Sequence, residues 1–234
     1  MLAPIIGSFI GVLIRRLPEG QPVINARSCC ETCHQQLRWY ELVPLVSYFW
    51  LRGHCARCRA LISRFHPAVE LATIVIAVWA VFAAKDPQWA LANSVLGWVL
   101  LALAWIDAEY FRLPDVLTLP LVVAGLIATW LLEPLALTGH AIGALVGYLV
   151  FRTLAAAYRY WRGHEGLGIG DAKLLAAGGA WVGLGALPMV VSVGALAGIG
   201  WVALRRVNRH DAIPFGPFLA LGIWLVRVHA DLLQ

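Results

Sequence analysis

The sequence predicts an all-α polytopic membrane protein of about eight transmembrane helices, with one small polar domain near its N-terminus. Three observations lead there. The 234 residues are 61% hydrophobic and 13% charged, where a soluble domain carries about 25% charged residues. The apolar residues gather into eight runs separated by Gly, Pro and charged residues. The basic residues cluster between alternate runs, as they do in the cytoplasmic loops of membrane proteins.

The first run, residues 1–14, is followed by Arg15 and Arg16. A secretory signal peptide carries its positive charges ahead of the apolar core, so this reversed order predicts a retained first span. It is short, since a helix needs roughly 20 apolar residues to cross the hydrocarbon, so the expectation is either that it crosses with help from its neighbours or that the sequence starts inside a longer span. Residues 15–66 form the polar region. Seven further runs follow at 67–84, 88–106, 115–132, 135–151, 172–187, 188–204 and 213–230, the sixth and seventh of the eight segments parted only by Gly185 and Pro188. The expected organisation is a first transmembrane segment (1–14), a cytoplasmic domain (15–66) and a transmembrane domain (67–234).

Orientation follows from charge. With residues 15–66 in the cytoplasm and sides alternating, all of the 18 Lys and Arg except Lys85 and Arg227 fall inside. The inner group includes Arg27, Arg206 and Arg209. This bias predicts both termini outside. The net charge of +5 does not indicate nucleic acid, because no basic stripe interleaved with aromatics accompanies it. No internal repeat is visible.

All five cysteines lie in the polar region. Cys30-Glu31-Thr32-Cys33 and Cys55-Ala56-Arg57-Cys58 are two C-x2-C knuckles, and four thiolates suit tetrahedral zinc. A region of this size needs a staple, and a reducing cytoplasm argues against disulfides. The expectation is a zinc-stapled cytoplasmic domain in which Cys30, Cys33, Cys55 and Cys58 hold a structural ion. A redox pair or uncommitted thiols are the alternatives. Cys29 offers a second register in place of Cys30, and His34 and His54 are weaker ligands.

Ionisable groups within a bilayer are costly, which makes Asp107 and Asp171 functional candidates. Asp107 ends the third apolar run, and Asp171 follows Gly168-Ile169-Gly170 where the sixth begins. Alternating topology puts both at one membrane face. Two carboxylates sharing a site repel, so one stays neutral and one ionised. The ionised member can take a proton from water while the neutral one polarises a peptide carbonyl. Gly168 and Gly170 are expected to give close backbone approach and positive φ angles. Each Asp alone could equally cap a span. Asp115 reads as the N-cap of the fourth span after Pro114, Glu109 as an interfacial charge, and Lys173 as local charge balance or a mark of the inner face. Glu70 lies inside the second span with no neighbouring compensation.

Asp107 to Asp115, reading DAEYFRLPD, and GLGIGDAKLL around Asp171 resemble the bacterial type IV prepilin peptidases, membrane aspartic proteases that also act as N-methyltransferases. Gly7-Ser8-Phe9, Arg16-Leu17-Pro18, both cysteine knuckles, Pro44 to Tyr48, Pro67-Ala68-Val69-Glu70 and Ile213 to Pro217 match in order. The resemblance implies that Asp107 and Asp171 are catalytic and that Cys30, Cys33, Cys55 and Cys58 are the family's four cytoplasmic cysteines. It implies prepilins and pseudopilins of type II secretion as substrates, in the bacterial inner membrane, cleaved on the cytoplasmic side. It implies S-adenosylmethionine as methyl donor, with Gly53 in the place of the glycine linked to methylation. Departures at Gly11 and at Leu42-Val43-Pro44, and a shorter polar region, bear more on methylation than on cleavage. A peptidase without methylation, an ion or proton transporter using membrane carboxylates, and a zinc-stapled assembly factor without catalysis are the competing readings.

Overall fold

The computed structural model describes residues 3–23, 28–30, 32–163, 168–205 and 212–229. Arg27, Glu31, Gly166, Leu167, Arg206 and Arg209 lie outside them. Among the described residues the regular structure is helical, with two isolated antiparallel bridges. The chain divides into two units, Met1–Trp79 and Ala80–Gln234.

The first unit holds α1 (Ala3–Arg16), a 3-10 turn (Trp39–Leu42), the short α2 (Val46–Trp50) and most of α3 (Phe65–Ala83). α1 rests on α3. A Cβ added at Gly7 would lie 2.8 Å from the Glu70 backbone, and the Thr73 hydroxyl donates to the Ala3 carbonyl at 3.0 Å. Arg15 then caps the contact by stacking 4.2 Å over the Phe65 ring.

The second unit holds α4 (Pro87–Tyr110), α5 (Asp115–Leu132), α6 (Leu137–Arg162), α7 (Ile169–Val182), α8 (Leu187–Arg205) and α9 (Gly216–Val228). Local chemistry sets their ends. Asp86 caps α4 by accepting the Trp89 amide at 2.8 Å, with Pro87 opening the helix. Gly163, at φ +74°, closes α6. α7 is the inner helix: Leu174, Leu175, Ala177, Ala180 and Trp181 are almost fully buried. It crosses α6 with backbones nearly touching, since a Cβ on Gly143 would lie 2.9 Å from the Gly179 carbonyl oxygen. Close backbone approach through small residues is the usual way for helices to pack in lipid. The Trp181 indole donates to the Leu121 carbonyl at 2.9 Å, which ties α7 to α5. His140 joins α6 to both neighbours through the Thr129 hydroxyl (3.2 Å) and the Ala180 carbonyl (3.0 Å).

All eight apolar runs are helical. Five helical stretches, Phe65–Ala83, Pro87–Tyr110, Asp115–Leu132, Pro134–Arg162 and Leu187–Arg205, are long and apolar enough to cross a membrane. This is an all-helical, multi-pass membrane protein. α1, α7 and α9 are shorter, at 14, 14 and 13 residues. Apolar side chains project outward from the long helices, Val123, Leu196 and Ile199 among them, as lipid-facing positions must.

Several expectations are corrected. α6 runs to Arg162 rather than 151, because Ala155, Ala156 and Ala157 favour helix past the apolar run. The sixth and seventh runs part at Gly183, which has φ +79°, while Pro188 sits inside the first turn of α8. Asp115 is the first residue of α5 and Pro114 is its N-cap. Gly168 has φ −70° and Gly170 is helical, so neither needs a left-handed backbone.

The helix crossing yields a test. Gly143→Ala is expected to lower stability by about 1–3 kcal/mol through overpacking. Gly139→Ala, four residues away with open space around it, is expected to be neutral or slightly stabilising. Thermal unfolding in detergent separates the two.

Candidate active site

Asp107 lies one turn before the end of α4 and is 6% exposed. The helix stops there because Phe111 adopts a left-handed conformation and its amide donates to the Asp107 carbonyl at 2.9 Å. Arg112-Leu113-Pro114 then turns the chain into α5. Asp171, 8% exposed, is the third residue of α7. Its Oδ2 accepts the Gly168 amide at 3.2 Å. A carboxylate in a first helical turn faces free backbone amides, so this position favours it.

The three glycines around these acids have separate tasks. Gly168 supplies the amide. Gly170 lets α7 press on the α4–α5 turn, because a Cβ there would meet the Leu113 Cβ at 2.8 Å. Gly216 opens α9, and its amide donates to Asp107 Oδ2 at 2.9 Å. A Cβ at Gly216 would come within 2.6 Å of that oxygen. The two carboxylates are therefore each bonded through Oδ2 to a glycine amide, and they stand close enough to repel one another. Helices α4, α7 and α9 meet at this point, although Gly216 and Asp107 are 109 residues apart.

Lys173 extends from α7 to Asp115, Nζ to Oδ1 2.5 Å. The contact is in keeping with the charge-balance reading of Lys173. The pair is partly exposed, so it adds little stability, about 0–1 kcal/mol. Glu109 accepts the Trp105 indole N–H at 2.9 Å on the helix surface. Glu70 has the compensation that its sequence context lacks: its Oε2 accepts the Leu45 amide at 2.8 Å, and Ser8 bonds its carboxylate.

The cysteines form a second site, in the first unit. The Sγ atoms of Cys30, Cys33, Cys55 and Cys58 all lie within 4.8 Å of one another. Sulfurs each about 2.3 Å from a tetrahedral zinc stand about 3.8 Å apart, and Cys30 and Cys58 are separated by 3.8 Å. The donor set thus fits a metal ion. Cys29, His34 and His54 are not part of this cluster, which favours the register with Cys30. The amides of Cys33 and Thr32 hold the Cys30 thiol down at about 6. Against the pull of the Ala60 amide, desolvation and the three neighbouring thiols push Cys58 up to about 11. Such thiols lose their remaining protons to a cation.

A repeat hidden in the sequence appears here. In the first knuckle the bonds are Cys30 N–H to Gln35 O, His34 N–H to Cys30 O and Leu37 N–H to Ser28 O. In the second they are Cys55 N–H to Ala60 O, Arg59 N–H to Cys55 O and Ile62 N–H to Gly53 O. His34 and Arg59 both have positive φ, and the bridges Cys29–Gln36 and His54–Leu61 occupy the same register. The two hairpins are equivalent at a constant offset, although their side chains outside the cysteines differ. Gly53 starts the second hairpin at φ +72°, with Tyr48 Oη 3.1 Å from where its Cβ would be.

Residues 1–84 match the bacterial peptidase A24 N-terminal domain, and residues 94–203 match the type IV leader peptidase family. A prepilin leader peptidase/N-methyltransferase of Aeromonas hydrophila is 42% identical, over 97% of this chain and 88% of the relative. The chain belongs to the type IV leader peptidase family. Relatives bearing the same name in Pseudomonas aeruginosa (35% identical, 99% of this chain, 89% of the relative) and Burkholderia pseudomallei (39%, 95% and 81%) agree. No solved structure matches the chain. The peptidase family match covers both candidate aspartates, and the N-terminal match covers all four clustered cysteines.

In this leader peptidase, Gly216 is the residue whose contact could not be read in sequence. Pro217 marks a helix start, but nothing in Ile213 to Pro217 points to Asp107. Gly216→Ala is expected to displace the Asp107 carboxylate and slow peptide cleavage about 100-fold, the scale of a 1 Å misplacement. Cleavage kinetics alongside a detergent melting curve check this; cleavage at the unmodified rate would show the contact to be dispensable.

Proposed function

We propose that the chain removes the short basic leader from type IV prepilins and type II pseudopilins, and methylates the newly exposed amine with S-adenosylmethionine. Asp107 and Asp171 are the catalytic pair. The observation that carries this reading is that two near-buried aspartates from different helices stand in mutual electrostatic reach, each fastened by one glycine amide.

The chemistry follows from sharing a site. One carboxyl stays protonated beside its ionised partner. The ionised member removes a proton from water as the oxygen attacks the scissile carbonyl, while the protonated member hydrogen-bonds the carbonyl oxygen. The tetrahedral carbon then collapses, the C–N bond breaks, and the leaving amine receives a proton. The amides of Gly168 and Gly216 keep the acids oriented through the cycle. The distribution of basic residues supports a cytoplasmic site in the bacterial inner membrane, and the domain limits follow as 1–14, 15–66 and 67–234.

Methyl transfer belongs in this reading to the N-terminal region, with Gly53 linked to it. The ion held by Cys30, Cys33, Cys55 and Cys58 is zinc. Four sulfurs close its coordination, so it is structural.

Purified protein incubated with a prepilin and labelled S-adenosylmethionine is expected to give a product lacking the leader and carrying one added methyl group, read by mass and N-terminal sequence. Asp107→Asn and Asp171→Asn are each expected to cut cleavage by about 100- to 10,000-fold without changing thermal stability or metal content. Cleavage that survives both substitutions refutes the dyad.

Metal analysis is expected to find about one zinc per chain. Cys55→Ser or strong chelation should release it and unfold the region around the knuckles, whereas Cys29→Ser should leave the stoichiometry unchanged. A loss of zinc in Cys29→Ser would reassign the ligand set.

A further inference from the structure

The polar region contains an apolar face that neither the peptidase chemistry nor the metal cluster uses. Val46, Phe49 and Trp50 line one side of α2 at helical spacing and are 60%, 71% and 84% exposed. Leu42 and Val43, just upstream, continue the stripe and are exposed as well. The opposite side is fastened inward: Tyr48 lies against Gly53, and the Leu45 amide is bonded to Glu70. Apolar residues at this density do not normally face water on a polar domain.

The Glu70 bond sets the height of this face. Glu70 is five residues past the start of α3, about 7.5 Å along the helix axis, and α3 is one of the membrane-crossing helices. Leu45, which opens α2, is thus tied beside a point inside a membrane helix. Leu45 accepts an unusual backbone conformation there, φ +58°, ψ −48°. Trp and Tyr concentrate at the boundary between headgroups and acyl chains, and Tyr40 and Trp50 bracket the stripe. Exposed Arg38 and Arg52 flank it, where anionic phosphates would lie.

We propose that the segment Leu42–Trp50 lies in the cytoplasmic leaflet, its Val46, Phe49 and Trp50 face inserted among lipid acyl chains at the headgroup boundary. Its occupant is the lipid surface. The polar domain is then moored to the bilayer at a third place, in addition to α1 and α3.

The test uses the full-length protein in liposomes of phosphatidylethanolamine and phosphatidylglycerol. Phe49→p-benzoylphenylalanine and Trp50→p-benzoylphenylalanine are photoactivated, and adducts are identified by mass spectrometry. Ala56→p-benzoylphenylalanine, exposed within the second knuckle, serves as the comparison. The expected result is at least about five-fold more lipid adduct at 49 and 50 than at 56. Equal or absent lipid labelling at 49 and 50 overturns the proposal, and so does labelling confined to added prepilin, which would make the face a substrate dock. A second readout guards against a misfolded variant. Trp50→Phe should reduce the quenching of protein fluorescence by lipids brominated near the headgroup, and an unchanged quench would also overturn it.

Discussion

Two near-buried carboxylates within electrostatic reach of each other are unstable unless something compensates them. Here the compensation is two backbone amides, from Gly168 and Gly216. An amide is neutral, so it can hold an aspartate oxygen without cancelling the charge that chemistry needs. A Lys or Arg in the same place would pair with the acid and remove it as a base. The ion pair between Lys173 and Asp115 leaves the candidate acids out. The helix ends of α7 and α9 add the partial positive charge of their free amides.

This choice places demands on packing elsewhere. In the approach seen here the Gly216 amide meets Asp107 Oδ2 at 2.9 Å while a Cβ on the same residue would stand 2.6 Å from that oxygen, so this geometry calls for glycine. The first turn of α7 must also approach the α4–α5 turn, which Gly170 allows against Leu113. Farther along, α7 has to stay seated with only 14 residues, too few to cross the hydrocarbon alone. Its near-complete burial among α5, α6 and α9, the close crossing at Gly143 and Gly179, and the Trp181 bond to Leu121 supply that seat. The short helix carrying Asp171 is thus held mainly by its neighbours.

Much of this was legible in residue order. The eight apolar runs are eight helices, and the four cysteines converge as C-x2-C spacing requires. Asp107 and Asp171 act on each other electrostatically despite lying 64 residues apart, in keeping with the expected alternation of spans that puts both at one face. What could not be read depends on backbone geometry. Gly168 and Gly170 look like turn glycines, yet their use is to leave room for an amide and for Leu113. Asp115 resembles a cap because caps and first-turn acids share a composition; only the backbone, extended at Pro114 and helical from Asp115, separates them. Glu70 looks uncompensated because its partner is a backbone amide, which no side-chain pattern reveals. The paired hairpins escape detection since their common features are hydrogen bonds and φ angles at His34 and Arg59, residues with unrelated side chains.

The N-terminal unit meets a different difficulty with similar means. Residues 15–66 are too few to build a core able to offset the entropy of ordering them. Two equivalent hairpins bring four sulfurs together, so an ion can supply the missing cohesion. The Glu70 bond to Leu45 then fixes α2 to a membrane helix, since breaking it would cost a buried carboxylate one of its two partners. Cohesion from the proposed ion and position from a buried acid would be separable, because the cysteines and Glu70 share no bond in the structure. A domain built this way can present an apolar face without collapsing onto it: its hairpins are closed by sulfur and backbone hydrogen bonds, and the side chains of Val46, Phe49 and Trp50 are not needed to hold them.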